Sequence, residues 1–275
     1  MSAPAFAETA YAKINLALHV RERWPDGHHR IETLFAFCED GDRLTGRSDD
    51  GLGLTIDGPF ASGLPVDETN LVWRAARALA SVTGVTASAA LHLDKRLPVA
   101  SGIGGGSADA GAALRLLPRL WSVDVGEAAL HDIAARLGAD VPACLASRPA
   151  RGDGRGDRLR PARVASGAPA LLVNPGVPLS TAAVFAAWDG VDRGALTDDP
   201  AAGRNDLEAP AVALCPPIAT VLNVLEAQAG NRVVRMSGSG ATCFALFDDP
   251  AARDEADARI AALYPDWWRL ATTLR

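Results

Sequence analysis

The stretch PVASGIGGGSADAGAAL, residues 98–114, decides how this chain reads. Pro98 closes a run of strand formers, glycines follow at 102, 104, 105 and 106, and the sequence then turns rich in alanine and leucine. That order predicts a strand, a loop stripped of side chains, and a helix. The first N–H groups of a helix lack intrahelical partners and carry the positive end of its dipole, so a glycine-lined approach to them suits phosphate oxygens. Ser107 adds a hydroxyl that could contact a phosphate or its Mg2+. A glycine turn that merely opens a helix is the competing account of the same residues. Two better-known phosphate loops do not fit: there is no terminal Gly-Lys-Ser/Thr, and GIGGGS breaks the GxGxxG spacing of dinucleotide binders.

Outward from this loop the pattern is mixed. Residues 9–20 and 30–37 alternate as strands, joined by a turn at WPDGHH, 24–29. Residues 43–58 suggest a further short strand pair. Asn70 to Thr83 has helical spacing, with Leu71, Ala75, Ala78, Leu79 and Val82 on one face. Residues 87–98 form a strand, and a helix near 126–137 stops at Gly138. The segment 146–163, rich in Gly, Pro, Arg and Asp, predicts a mobile loop or domain boundary. Beyond it come a strand (168–176), a short helix capped by Ser180 or Thr181, two more helices, a strand–glycine turn–strand unit over 233–247, a helix over 250–264 and a closing strand. The chain is α+β without regular βαβ alternation.

Composition narrows the function. The 275 residues carry a net charge of −6 with no basic tail, which gives nucleic acid no electrostatic foothold. No run of about 18 apolar residues is present, and the first residues lack the charged-then-apolar order of a secretory leader. Cys38, Cys144, Cys215 and Cys243 are widely spaced, which fits free thiols in the cytoplasm and disfavours zinc. Of 27 basic residues only Lys13 and Lys95 are lysine. Ammonium and guanidinium are not interchangeable at a tight site, so the two lysines suggest positions where the compact cation is needed; chance placement at two surface sites is the plain alternative.

The loop resembles the second motif of the GHMP kinase superfamily, which includes galactokinase and the homoserine and mevalonate kinases. AYAKINLALHV (10–20), DGHHRIETLFAF (26–37), GADVPACL (138–145), NPGVPLSTAAVF (174–185), RNDLEAP (204–210) and MSGSGATCFALF (236–247) extend the resemblance over nearly the whole chain. They are similar to the branch of that superfamily whose acceptor is a cytidine-diphosphate-linked methylerythritol. The resemblance implies a two-lobed GHMP kinase fold. An N-terminal ribosomal-protein-S5-like domain would span 1–155 and bind ATP and substrate, and a C-terminal ferredoxin-like domain would span 156–275. It implies ATP and Mg2+ as cofactors, with the metal ligands left open, and phosphorylation of the acceptor's 2-hydroxyl in the non-mevalonate isoprenoid route. The runner-up is another kinase of the superfamily. A small-molecule substrate, no nucleic-acid or membrane partner, a cytoplasmic location and a monomer or weak homodimer complete the expectation.

The resemblance also assigns residues. Lys13 and Asp140 match the family's active-site lysine and aspartate; a strand lysine and a turn aspartate are the plain alternatives. Pro98, Val99, Ala100, Ser101, Gly102, Ile103, Gly104, Gly105, Gly106, Ser107 and Ala108 would wrap the triphosphate, with Asn70 and Lys95 near the adenine. Asn15, His28, His29, Phe35, Thr181 and Phe185 would bind the acceptor, His29 and Phe185 at its cytosine. His28 stands where many relatives have tyrosine, and Ala108 where many have a second serine. Asp109 receives no role and is expected to face solvent or Arg115. Gly238 and Gly240 are expected to let a second turn approach the loop.

Overall fold

The computed structural model describes residues 5–197 and 202–275. Its contacts divide the chain into two compact units. One comprises the chain up to Ala12, Asp40–Val99 and Gly104–Ser147; the other comprises Lys13–Glu39, Ala100–Ile103 and Arg148–Arg275. Two long strands, β1 (Phe6–Arg23) and β2 (His29–Arg47), run through both.

In the first unit the end of β2 pairs antiparallel with β4 (Ala89–Asp94), and β3 (Leu52–Asp57) lies parallel to β4. Parallel neighbours need a crossover, and helix α1 (Leu71–Thr83) supplies it. Residues 43–47 are therefore the end of β2 and not a separate strand. In α1, Asn70 caps the start by accepting from the Val72 amide, and Gly84, left-handed at φ 73°, closes the end. Its buried face is Val72, Ala75, Ala76, Leu79 and Ala80. That stripe is rotated from the expected one, and Val82 lies outside it at 49% exposed.

Helix α2 (Gly105–Leu120) is buried almost all round, from Ala108 to Leu114 and again at Leu116 and Leu117. It packs against α1, α3 (Glu127–Leu137) and α4 (Val141–Ala146). Small residues make this possible: a Cβ on Gly111 would stand 2.8 Å from the Cys144 carbonyl. Beneath the start of α2 lies a buried ionic cluster. The Lys95 ammonium donates to Asp42 Oδ2 at 2.5 Å and to Asp109 Oδ2 at 2.7 Å. Asp42 Oδ1 accepts from the Arg96 and Leu97 amides. Burial pushes the Asp109 carboxyl up to about 7, against the opposing pull of Lys95.

The second unit is built on a four-stranded antiparallel sheet in the order β10-β7-β9-β8. The strands are β7 (Pro169–Asn174), β8 (Asn231–Met236), β9 (Cys243–Phe247) and β10 (Trp268–Thr273). Helices α5 (Thr181–Ala186), α6 (Glu208–Leu214) and α7 (Pro217–Glu226) separate β7 from β8, and α8 (Pro250–Leu263) separates β9 from β10. This β-α-β-β-α-β succession is the expected ferredoxin-like arrangement. Leu171, Val173, Ile218, Val221, Phe247 and Ile260 are part of its core.

The segment 146–163 differs from its reading as a loop. It holds a hairpin, β5 (Ala150–Gly154) and β6 (Arg158–Pro161), with β5 paired to Ile31–Phe35 of β2. Its glycines have specific work. Gly154 and Gly156 take positive φ at the turn, and a Cβ on Gly152 would stand 2.9 Å from the Phe35 ring. All four cysteines are buried, and none is in a disulfide.

Removing the ammonium from the ionic cluster would leave two carboxylates buried without it. Lys95→Met is expected to lower the unfolding free energy by about 3–5 kcal/mol in urea titrations. A loss below about 1 kcal/mol would show that the cluster contributes little.

Candidate active site

Helix α2 begins without a side-chain cap. Gly104 occupies the cap position at φ 66°, and no side chain bonds from it to the helix amides. The backbone before it is left-handed at Ala100 (φ 51°) and Gly102 (φ 80°). In the second unit the loop's middle is tied down by three bonds. Ser237 Oγ donates to the Gly102 carbonyl at 3.0 Å, the Thr242 amide to Ser101 and the Lys13 amide to Ile103. A Cβ on Gly102 would meet the Ser237 carbonyl at 2.4 Å, so only glycine permits this approach. The turn bearing Gly238 and Gly240 does come close to the loop, as its glycines suggested. The donor set therefore suits phosphate: main-chain amides at the positive end of a 16-residue helix, with no side-chain capping bond.

Lys13 lies on β1 in the second unit, 3% exposed, with its ammonium 5.4 Å from the centre of the Phe35 ring. A directional chain of bonds sets one of its partners. Thr33 Oγ1 donates to the Ala17 carbonyl at 2.7 Å, so it accepts from Asn15 Nδ2, also at 2.7 Å. That fixes which way the Asn15 amide faces: its Oδ1 turns to Lys13 and accepts from the ammonium at 2.8 Å. Asn15, expected to bond a substrate, is first of all a strut for Lys13. Phe35 has no exposed surface and supports the same ammonium from below.

A second cluster in the same unit is aromatic. The His29 ring lies 5.0 Å from Phe185 and 5.7 Å, edge-on, from Trp188. Arg23 Nε donates to His29 Nε2 at 3.1 Å, and the same guanidinium reaches the Ala186 carbonyl. Burial, then the charge of Arg23 and His28, lowers the affinity of His29 for a second proton. His28 stands exposed on the turn, with its ring beside Asp26. Ser180 caps α5, which leaves the Thr181 hydroxyl to pair with Ser239 Oγ at 2.8 Å.

The remaining assigned residues belong to the first unit. Asp140 sits at the cap position of α4, yet its carboxylate makes no capping bond; only its carbonyl joins the helix, accepting from Cys144. Helix capping therefore does not account for an aspartate at this position. Asn70 uses its side chain to cap α1 and to donate to the Pro65 carbonyl. Lys95, expected near the adenine, is 2% exposed, with its ammonium held between Asp42 and Asp109. The expectation for Asp109 is corrected, since it faces Lys95 in the interior and not solvent or Arg115. Sequence reasoning also missed Thr33, Trp188, Arg23 and Ser237. Thr33 was within reach, because it shares a strand face with Phe35. Among the described residues no group of three or more His, Cys, Asp or Glu stands together to hold a metal.

Residues 70–148 match the model of the GHMP kinases N terminal domain, and residues 194–266 that of the GHMP kinases C terminal. The 4-diphosphocytidyl-2-C-methyl-D-erythritol kinase of Rhizorhabdus wittichii is 55% identical, over 98% of this chain and 94% of that one. A crystal structure of 4-(cytidine 5'-diphospho)-2C-methyl-D-erythritol kinase superposes with a TM-score of 0.84 at 34% identity, covering 98% of this chain and 99% of that one. Homoserine kinase from Cytophaga hutchinsonii, at 16% identity and a TM-score of 0.71 over 98% of this chain and 95% of that one, shares the fold. Glycine loop, an aspartate at the start of α4 that does not cap it, and aromatic cluster thus occur on a scaffold and in a sequence that agree, and the chain belongs to the 4-diphosphocytidyl-2-C-methyl-D-erythritol kinase family of the GHMP kinases.

Proposed function

We propose that this chain transfers the γ-phosphoryl group of ATP to the 2-hydroxyl of 4-diphosphocytidyl-2-C-methyl-D-erythritol, a step of the non-mevalonate isoprenoid route. The observation that carries the reading is identity of 55% along 98% of the chain with a kinase of that name. The site's chemistry supports it. The start of α2 would receive the triphosphate on its amides, and Ser107, in its first turn, offers a hydroxyl able to join them. Mg2+, when bound with the nucleotide, would screen phosphate charge.

In the reaction the acceptor oxygen bonds to the γ-phosphorus, the bond from that phosphorus to the ADP oxygen breaks, and the hydroxyl proton must leave. Phosphoryl transfer asks the protein mainly for positioning and charge stabilisation. Asp140 would accept or orient the departing proton. Lys13, held by Asn15 and Phe35, would stabilise the negative charge that develops on oxygen. On the acceptor side, the cytosine would stack on Phe185 beside His29, and Thr181 would bond the substrate from the first turn of α5. Among the described residues no helix is long and apolar enough to cross a membrane. We place the enzyme in the cytoplasm, as a monomer or weak homodimer.

The test of the reading is ADP release measured with a panel of acceptors. Turnover is expected with 4-diphosphocytidyl-2-C-methyl-D-erythritol and not with homoserine, mevalonate or galactose. Comparable turnover on one of the latter would replace the assignment. Asp140→Asn is expected to lower kcat by about 10²–10⁴-fold while ATP affinity changes little; an unchanged kcat would remove Asp140 from the reaction. Phe185→Ala is expected to raise KM for the cytidine substrate by about tenfold, the loss of one base-stacking contact. If KM for ATP rose equally, the ring would belong to the core and not to the acceptor site.

A further inference from the structure

The contact between Arg23 and His29 carries more than packing. A guanidinium has only donors, so His29 Nε2 must present a lone pair to Arg23 Nε at 3.1 Å. A doubly protonated imidazole has no lone pair, and the Nε2–H tautomer has none at that atom. The ring is therefore neutral with its proton on Nδ1. Burial and the neighbouring charges of Arg23 and His28 act in the same direction by opposing a second proton. No described protein atom bonds Nδ1.

The same guanidinium donates to the Ala186 carbonyl at 3.1 Å and reaches the Phe185 carbonyl at 3.5 Å. Those carbonyls lie at the end of α5, where the negative end of the helix favours a cation. One side chain of β1 thus fixes both the protonation of His29 and the end of the helix that carries Phe185.

We infer that Arg23 is a positioning residue for acceptor recognition: it locks His29 as a neutral Nδ1–H donor beside Phe185, directed to a hydrogen-bond acceptor on the ring of a pyrimidine nucleotide. The inference rests on the reading of the acceptor as a cytidine derivative. Such a donor matches the ring carbonyl and unprotonated ring nitrogen of cytosine. A His29 free to exchange tautomers would offer a lone pair to the same atoms part of the time and repel them.

Nitrogen-15 spectra of the histidine rings in the full-length chain, with and without Arg23→Met, test this directly. In the wild type, His29 is expected to show a protonated Nδ1 and a bare Nε2. In Arg23→Met the proton should move largely to Nε2, and Arg23→Lys, which keeps a donor and a charge, should retain the wild-type pattern. KM for the cytidine substrate should rise about tenfold in Arg23→Met, as for one lost hydrogen bond. KM for ATP should stay within about twofold, since the contacts of Arg23 are all to the acceptor side. A wild-type ring protonated at Nε2, or a spectrum unchanged by Arg23→Met, overturns the inference. So does a tautomer that moves while KM for the cytidine substrate does not. Should the spectrum be as expected while the wild type fails to turn over the cytidine substrate, the functional reading falls instead, and with it the ligand contact but not the tautomer assignment.

Discussion

An uncapped helix end has to be held from somewhere other than its cap. That constraint shapes the first unit. Helix α2 starts on glycine, with no side-chain bond to its opening amides, which keeps them open to a ligand but forgoes about 1 kcal/mol of capping stability. Compensation comes from below: Asp109, one turn into the helix, is gripped by Lys95, and Lys95 is gripped by Asp42. Asp42 in turn binds the amides that follow β4. The position of the helix start is thus referred to two strands through three buried side chains. A shift of the helix would separate charges inside the protein, where such separation is expensive.

The same constraint explains the chain's use of lysine. Both of its lysines are buried, Lys13 at 3% and Lys95 at 2% exposed. Each ammonium sits against close neighbours: Asn15 and the Phe35 ring for one, two carboxylates and the backbone of Gly105 for the other. A Cβ at Gly105 would already come within 3.1 Å of Lys95 Nζ. A planar guanidinium, broader than an ammonium, has no room there. The scarcity of lysine therefore marked two tight cation sites, although only one of them stands where the resemblance to other kinases would use it for chemistry.

Much of the fold was legible because it is written locally. Helix spacing, turn glycines and strand alternation identified most elements, while the ferredoxin-like arrangement of the second unit came from the resemblance to other kinases. The misreadings share one cause: the partner of the residue concerned is distant in sequence. Gly152 looks like loop composition until Phe35 is seen to need its missing side chain. Asp109 looks idle until Lys95 and Asp42 close over it, and Asp42 and Lys95 are 53 residues apart. Arg23 and Trp188 carry no motif of their own; they matter only because β1 and α5 bring them to His29. Of the candidate site, the glycine loop was readable from its own residues. Lys13 and Asp140 needed the resemblance to other kinases, since a lone lysine and a lone turn aspartate have no periodic signature.

Fold and acceptor are settled by different parts of the molecule. Homoserine kinase superposes at a TM-score of 0.71 with 16% identity, so the scaffold by itself does not choose the acceptor. What the scaffold fixes is backbone geometry: Gly102 against Ser237, and a helix start without a side-chain cap, which under the proposed function would receive the phosphates. The choice of acceptor has to come from side chains that the scaffold leaves free to vary, and under the proposed function these are, in the second unit, the ones gathered around His29. There a ring whose proton is assigned by Arg23 lies beside Phe185, and the same arginine bonds the backbone at the end of the helix that carries it. Selectivity for a base requires both a stacking surface and a hydrogen-bonding edge of fixed polarity, because stacking alone tolerates any base. A single guanidinium that sets the polarity of His29 and anchors the helix bearing Phe185 therefore makes the two requirements depend on one residue.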